Sequence, residues 1–167
     1  MKKIVLLLSV TLLSLSFFGC EEPADPKPAE NPEPKVEEKQ ENKAVWFTRF
    51  VEAQEAARKE NKPIFVNFTG SDWCPWCFRL RDEVLVQPAF VDYASKNLVL
   101  LMIDFPRRKP QSQELKAMNR ELARKYGIRG YPTVLLLNPD GSVIAKTGYR
   151  RGGAGPYVSH LQQLLQK

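Results

Sequence analysis

Two cysteines, Cys74 and Cys77, stand two residues apart in Trp73-Cys74-Pro75-Trp76-Cys77. Thiols at this spacing can close a small disulfide ring and exchange it with other thiols, supply half of a metal site, or sit buried and unused. A c-type haem attachment needs a histidine directly after the second cysteine, where Phe78 stands. A closed zinc site needs four ligands, yet His160 is the only histidine of the chain and is expected on the solvent side of the last helix. No metal site is therefore assigned, although Cu(I) held by the two thiolates alone stays open because a soft ion tolerates low coordination.

Whatever the pair does, a folded frame must hold it, and 167 residues allow one globular domain with a core. Apolar periodicity predicts a helix over 44–60, with Trp46, Phe50, Ala53 and Ala57 on one face, stopped by Asn61-Lys62-Pro63. Residues 64–68 read as a short buried strand that leads through Thr69-Gly70-Ser71-Asp72 into the cysteine motif. A helix is expected to begin at or near Cys74, turn Leu80 and Val84 inward and end before Pro88, with another short helix over 88–95. Residues 98–103 have the continuous apolar character of a strand covered on both faces. Leu115, Met118, Leu122 and Tyr126 mark a helix face closed by Gly127. Residues 133–137 and 142–147 form a hairpin about Asn138-Pro139-Asp140-Gly141, and a last helix over 156–166 buries Val158, Leu161 and Leu165. This order predicts an α/β domain over 44–167 with a mixed central sheet, a parallel pair plus an antiparallel hairpin, and helices on both faces. No internal repeat is visible.

The start of the chain differs in kind. Met1-Lys2-Lys3 runs into an apolar stretch from Ile4 to Phe18, which predicts a signal peptide over 1–19. Phe17-Phe18-Gly19-Cys20 resembles the lipobox of bacterial lipoproteins, and the resemblance implies that Cys20 is lipidated and becomes the mature N-terminus. Residues 21–43 hold five prolines, eight acidic residues and four lysines, with no aromatic residue. Such a stretch cannot bury enough apolar surface to offset its ordering entropy, so 20–43 is expected to be a lipidated, disordered tether. Setting it and Lys2 and Lys3 aside leaves 19 basic against 11 acidic side chains in 44–167, a balance more basic than the chain's overall +6. Export to a bacterial envelope, with the domain facing the periplasm or the exterior, argues against nucleic acid as the partner. It also leaves Cys74 and Cys77 as one pair in a compartment where thiols tend to oxidise.

Residues 44–167 resemble a thioredoxin-fold domain, most similar to envelope thioredoxin-like proteins related to disulfide reductases and isomerases. Three features carry the resemblance: the cysteine motif with its preceding Trp73 after a strand, Gly130-Tyr131-Pro132-Thr133 before a strand, and the order of elements. The resemblance implies thiol-disulfide exchange with no cofactor beyond a redox-active Cys74–Cys77 disulfide. Cys74, at a helix N-terminus where unpaired amides and the helix dipole favour thiolate, is the expected nucleophile, and Cys77 resolves the mixed disulfide. Pro132 takes the place of the family's cis-proline, and Tyr131 is expected to pair main chain to main chain with an extended substrate. Trp73 and Trp76 would shape the same surface. Strongly oxidising relatives place a histidine where Trp76 stands, which favours a reductase or isomerase. Asn67 falls where thioredoxins carry a buried acid that helps deprotonate the second cysteine, so a slower resolving step is expected. Asp72 either caps the motif helix or sets its charge against the Cys74 thiolate.

Parallel strands end on one edge, so the loops that follow them must lie side by side. Arg107, Arg108, Lys109, Arg150 and Arg151 are thereby expected to ring the cysteine pair as an electrostatic rim. The partners implied are exported cysteine-containing proteins, a membrane electron donor that re-reduces the pair, and the membrane itself through Cys20, with the protein acting as a monomer. The reading from a different class is a non-catalytic binding module of the same fold that holds a client protein or Cu(I).

Overall fold

A computed structural model describes residues 44–166, so the expected signal peptide, Cys20 and the tether lie outside the described residues. The elements are β1 (Trp46–Phe47), α1 (Phe50–Glu60), β2 (Ile64–Thr69), α2 (Pro75–Leu80) running into a π-helical turn (Arg81–Leu85), α3 (Pro88–Asn97), β3 (Val99–Asp104), α4 (Gln113–Lys125), β4 (Thr133–Leu137), β5 (Val143–Thr147) and α5 (Ala154–Leu165). They build one five-stranded sheet in the order β1-β3-β2-β4-β5. β3 runs parallel to both β1 and β2, while β4 is antiparallel to β2 and to β5.

The alternation of side chains along β2 divides the core into two layers. Ile64, Val66 and Phe68 face one way and pack with Ala53 and Ala57 of α1, Leu101 and Ile103 of β3, Leu122 of α4 and Tyr126 at the end of that helix. Phe65 faces the other way, against Leu80 of α2, Phe90 and Ala94 of α3, and Tyr157 and Leu161 of α5. Asn67 and Thr69 follow Phe65 at the same parity and so project on the α2 side of the sheet. The helix that carries the cysteine pair is thus seated on the sheet by Leu80 and, through the π turn, by Val84.

One expected element changes. The helix predicted to begin at residue 44 begins at Phe50, and Trp46–Phe47 is an edge strand paired with Leu100 and Leu101. The helical spacing of Trp46 and Phe50 misleads because the two rings serve opposite layers. Trp46 packs on Phe65, edge to face with centroids 6.0 Å apart, whereas Phe50 packs beside Tyr126 in the other layer. The remaining ends differ by one or two residues, as fraying and short capping turns produce.

His160 also departs from expectation. It is half-buried on α5 facing the sheet, where its Nε2 and Thr147 Oγ1 share a hydrogen bond of 3.0 Å. Among the described residues, no helix is long and apolar enough to cross a membrane.

Candidate redox site

The site is built where β2 and β3, being parallel, end together. Gly70 follows β2, and its carbonyl accepts the amides of Trp73 (3.3 Å) and Cys74 (3.0 Å), which folds the chain back on itself. A side chain is excluded at Gly70, since a Cβ there would lie 2.5 Å from Trp73 Cε2. The Trp73 indole lies across that glycine and donates from Nε1 to the Phe105 carbonyl (2.8 Å), just beyond β3.

The loop after β3 is laced to the loop after β2 by two carboxylates. Asp104 accepts the Ser71 amide (2.9 Å) and hydroxyl (2.6 Å). Asp72 accepts the backbone amides of Arg107 (2.9 Å), Arg108 (2.7 Å) and Lys109 (2.9 Å). The Arg107 amide, with those of Lys109 and Arg108, holds the Asp72 carboxyl down at about 2. Asp72 therefore does not cap the motif helix; it clasps the basic loop. Because its folded value lies below the ordinary 3.8, its contribution is complete above that value and fades as pH falls toward about 2. Asp72→Asn should melt lower than wild type at neutral pH, with the gap closing through that acid window. A gap unchanged across the window in paired thermal melts would mean that the clasp does not depend on charge.

Cys74 is itself the N-cap of α2, and its Sγ accepts the Cys77 amide at 3.2 Å. Pro75 occupies the first helical turn, where its missing N–H leaves no internal bond unmade. The two cysteines are joined as a disulfide and are 3 % and 4 % exposed. Amide donation to sulfur and the adjoining helix N-terminus both favour negative charge on Cys74 once the pair is reduced. Among the described residues, no group of three or more His, Cys, Asp and Glu side chains comes together to hold a metal ion.

Two walls rise beside the pair. On one side the Tyr131–Pro132 peptide bond is cis, and the Tyr131 ring stands perpendicular to Trp73 (5.9 Å) and tilted on Phe105 (5.1 Å). Thr133 Oγ1 donates to the Gly130 carbonyl (2.7 Å), which fixes the turn into β4. On the other side Trp76, 48 % exposed, lies between Tyr149 (5.5 Å) and the Arg79 guanidinium (4.9 Å). Tyr149 donates to a Glu83 carboxylate oxygen (2.6 Å). Gly148 brings the β5 exit close to the cis-proline, since a Cβ there would lie 3.1 Å from the Pro132 carbonyl oxygen. Tyr157 on α5 donates to the Gly148 carbonyl (3.2 Å) and so supports that approach from below.

Of the basic residues expected to ring the pair, Arg107 is the most closely engaged, its guanidinium 4.0 Å above the Trp73 ring. Lys109 Nζ reaches Ser71 Oγ at 3.4 Å, and Arg108 is tied to Asp72 by its amide and by the attraction of its charge. Arg150 and Arg151 are exposed in the bend after Tyr149, on the predicted edge, and Arg150 acts electrostatically on Tyr157. Asn67 is buried at 4 % exposure with no partner for its Oδ1. Sequence reasoning did not single out Tyr149, Arg79 or Gly70. Tyr149 could have been found from the same edge argument that picked Arg150, whereas the Gly70–Trp73 contact is visible only in three dimensions.

Comparison with known proteins gives a consistent set of likenesses. The family model of a thioredoxin-like domain matches residues 50–154. The chain is 33% identical over 122 residues to the disulfide bond reductase DsbH of Chlamydia pneumoniae, covering 73% of this chain and 74% of that one. It is 28% identical over 139 residues to the thioredoxin-related protein DsbJ of the same organism, covering 79% of this chain but 40% of the longer relative. Among solved structures, a DsbH oxidoreductase superposes with a TM-score of 0.70 at 34% identity, covering 73% of this chain and 84% of that one.

Proposed function

The chain belongs to the thioredoxin-like family and is a thiol-disulfide oxidoreductase, and from that premise we propose that it reduces or isomerises disulfides of exported proteins while anchored to an envelope membrane. The feature that supports the direction is Trp76, which places no cation beside the second cysteine to stabilise the reduced pair. The observation that carries Cys74 as the attacking sulfur is its N-cap position, where it accepts the Cys77 amide at 3.2 Å. That environment favours the thiolate needed for attack.

In the forward sense the Cys74 thiolate attacks one sulfur of a substrate disulfide. The substrate S–S bond breaks, its other sulfur leaves as a thiolate that takes up a proton, and a Cys74–substrate disulfide remains. Cys77 then loses its proton and attacks Cys74 Sγ, which closes the Cys74–Cys77 bond and releases the second substrate thiolate. Two electrons pass from the protein dithiol to the substrate, so a dithiol donor must re-reduce the pair; in the envelope that role falls to a membrane electron donor. If a substrate thiol attacks the mixed disulfide before Cys77 does, the outcome is isomerisation with no net redox change. The dithiol is the only redox group this scheme needs.

Trp73, Trp76, Tyr131 and Pro132 frame the approach of the substrate, with the Tyr131 main chain offered as the edge for an added strand. Arg107, Arg108, Lys109, Arg150 and Arg151 complete the reading as a basic rim that would favour thiolate on Cys74. The lipobox resemblance at Cys20 supports anchoring at the membrane. The test is insulin reduction by the full chain kept reduced with dithiothreitol. Turnover well above dithiothreitol alone is expected. Absence of turnover, together with stoichiometric Cu(I) uptake by the reduced chain, would instead favour a binding module.

A further inference from the structure

An open groove of about 560 Å³ runs along the outer side of the Tyr131 turn, lined by Phe105 and Tyr131 from the loops and by Ala117, Arg120, Ala123 and Arg124 from α4. Neither the cysteine chemistry nor the expected basic rim uses it. Its floor is apolar, and its far wall is cationic because Arg120 and Arg124 stand one helical turn apart on the same face. Lys116 extends that row by a further turn into the adjoining cleft that Phe105 and Arg120 share.

These charges are not consumed by the fold. Among the described residues, no carboxylate lies within the 4.0 Å ion-pair distance of Arg120 or Arg124. Of the two acids of α4, Glu114 is already paired with Arg49 at 3.0 Å, and Glu121, adjacent to Arg120 in the chain, makes no ion pair with either arginine. An exposed apolar floor beside two unpaired guanidinium forks suits an extended chain carrying a carboxylate, whose oxygens an arginine engages in pairs. The groove's other wall is Tyr131, whose ring touches Trp73 directly before Cys74, so a strand laid along the Tyr131 turn leads from the sulfur pair into the groove.

We propose that this groove is a specificity subsite of the oxidoreductase, which selects substrate polypeptides bearing an acidic side chain next to the disulfide cysteine. It rests on the oxidoreductase reading above. The occupant is an acidic segment of the polypeptide substrate, held by Arg120 and Arg124 while its backbone lies along Tyr131.

The test uses the full chain, kept reduced with dithiothreitol, and two fluorogenic peptide disulfides that differ only in Glu against Gln on either side of the cysteine. Wild type should favour the Glu peptide in kcat/KM by roughly fivefold to tenfold at about 0.02 M salt, falling toward one at ~1 M, where the Debye length is ~3 Å. In Arg120→Gln/Arg124→Gln the preference should fall toward one at low salt. In Arg58→Gln/Lys59→Gln, which removes the same charge from α1, it should persist. Equal rates for the two peptides in wild type, or a preference that survives in the α4 variant, would overturn the subsite while leaving the oxidoreductase standing. Arg120→Lys/Arg124→Lys, which keeps the charge but not the guanidinium forks, is read beside the glutamine variant: a reduced Glu preference in this folded variant supports the subsite, and a Glu preference undiminished in it overturns pairing by the guanidinium forks. If wild type reduces neither peptide faster than dithiothreitol alone, the oxidoreductase reading falls and the subsite with it.

Discussion

Cys74→Ser should lose insulin reduction by on the order of 10³-fold or more, whereas Cys77→Ser should lose turnover but still form one bond to its substrate. The asymmetry follows from position. Cys74 is the N-cap of α2 and its sulfur meets the Cys77 amide, while Cys77 lies one turn into the helix without a comparable donor of its own. On the proposed mechanism attack belongs to Cys74 and release to Cys77. Incubation of reduced Cys77→Ser with an oxidised substrate should accumulate a covalent adduct that dithiothreitol dissolves and that is absent from the Cys74→Ser/Cys77→Ser double variant. The adduct is also the most direct route to the natural client, because mass spectrometry of the trapped species identifies the bound polypeptide whatever its sequence. Adducts of equal yield from Cys74→Ser alone would reverse the assignment of the two sulfurs, and turnover retained by Cys74→Ser would sink the mechanism.

The sheet and the motif were legible because their signals are local and redundant. Continuous apolar runs announced β2, β3 and β4, since strands buried on both faces need no polar alternation. Parallel pairing of β2 with β3 implied that the loops after them lie side by side, and the Arg107 guanidinium of the second loop does lie 4.0 Å from the Trp73 ring of the first. What the sequence hid has a common physical cause: contacts whose partners are distant in the chain and chemically unspecific. Trp46 and Phe50 share helical spacing yet enter opposite layers, so only the edge pairing with Leu100 reveals β1. Asp72 looks like a helix cap because an acid so near a helix start often is one. Its three amide donors come instead from the loop some 35 residues on, and loop backbone leaves no mark on side-chain type. The arginines of the α4 groove carry no signal of their own in the sequence, because Phe105 and Tyr131, which line the groove with them, come from distant loops.

Asn67→Asp should exchange stability for speed. Asn67 is 4 % exposed on the α2 side of β2, and its amide already lacks a partner for Oδ1. A carboxyl placed there is disfavoured in its charged form, so its folded pKa rises above the unfolded value. The sign follows: the variant matches wild type below pH ~4 and loses stability as pH climbs from the unfolded toward the raised folded value, by about 1.4 kcal/mol for each tenfold gain in proton affinity. A buried group of this kind gives a deficit of ~3 kcal/mol at neutral pH, readable from denaturant melts across pH. The same carboxylate can accept the Cys77 proton that asparagine cannot, so resolution of a preformed Cys74 mixed disulfide should quicken by about 10²-fold in single turnover. A destabilised variant with an unchanged resolving rate would show that the site is structurally sensitive but not coupled to Cys77. If both effects appear, asparagine at this position is itself a functional choice. It spares the domain a buried charge and prolongs the mixed disulfide, and a long-lived mixed disulfide gives a substrate's own thiol time to attack, which is what distinguishes an isomerase from a reductase built on the same pair of cysteines.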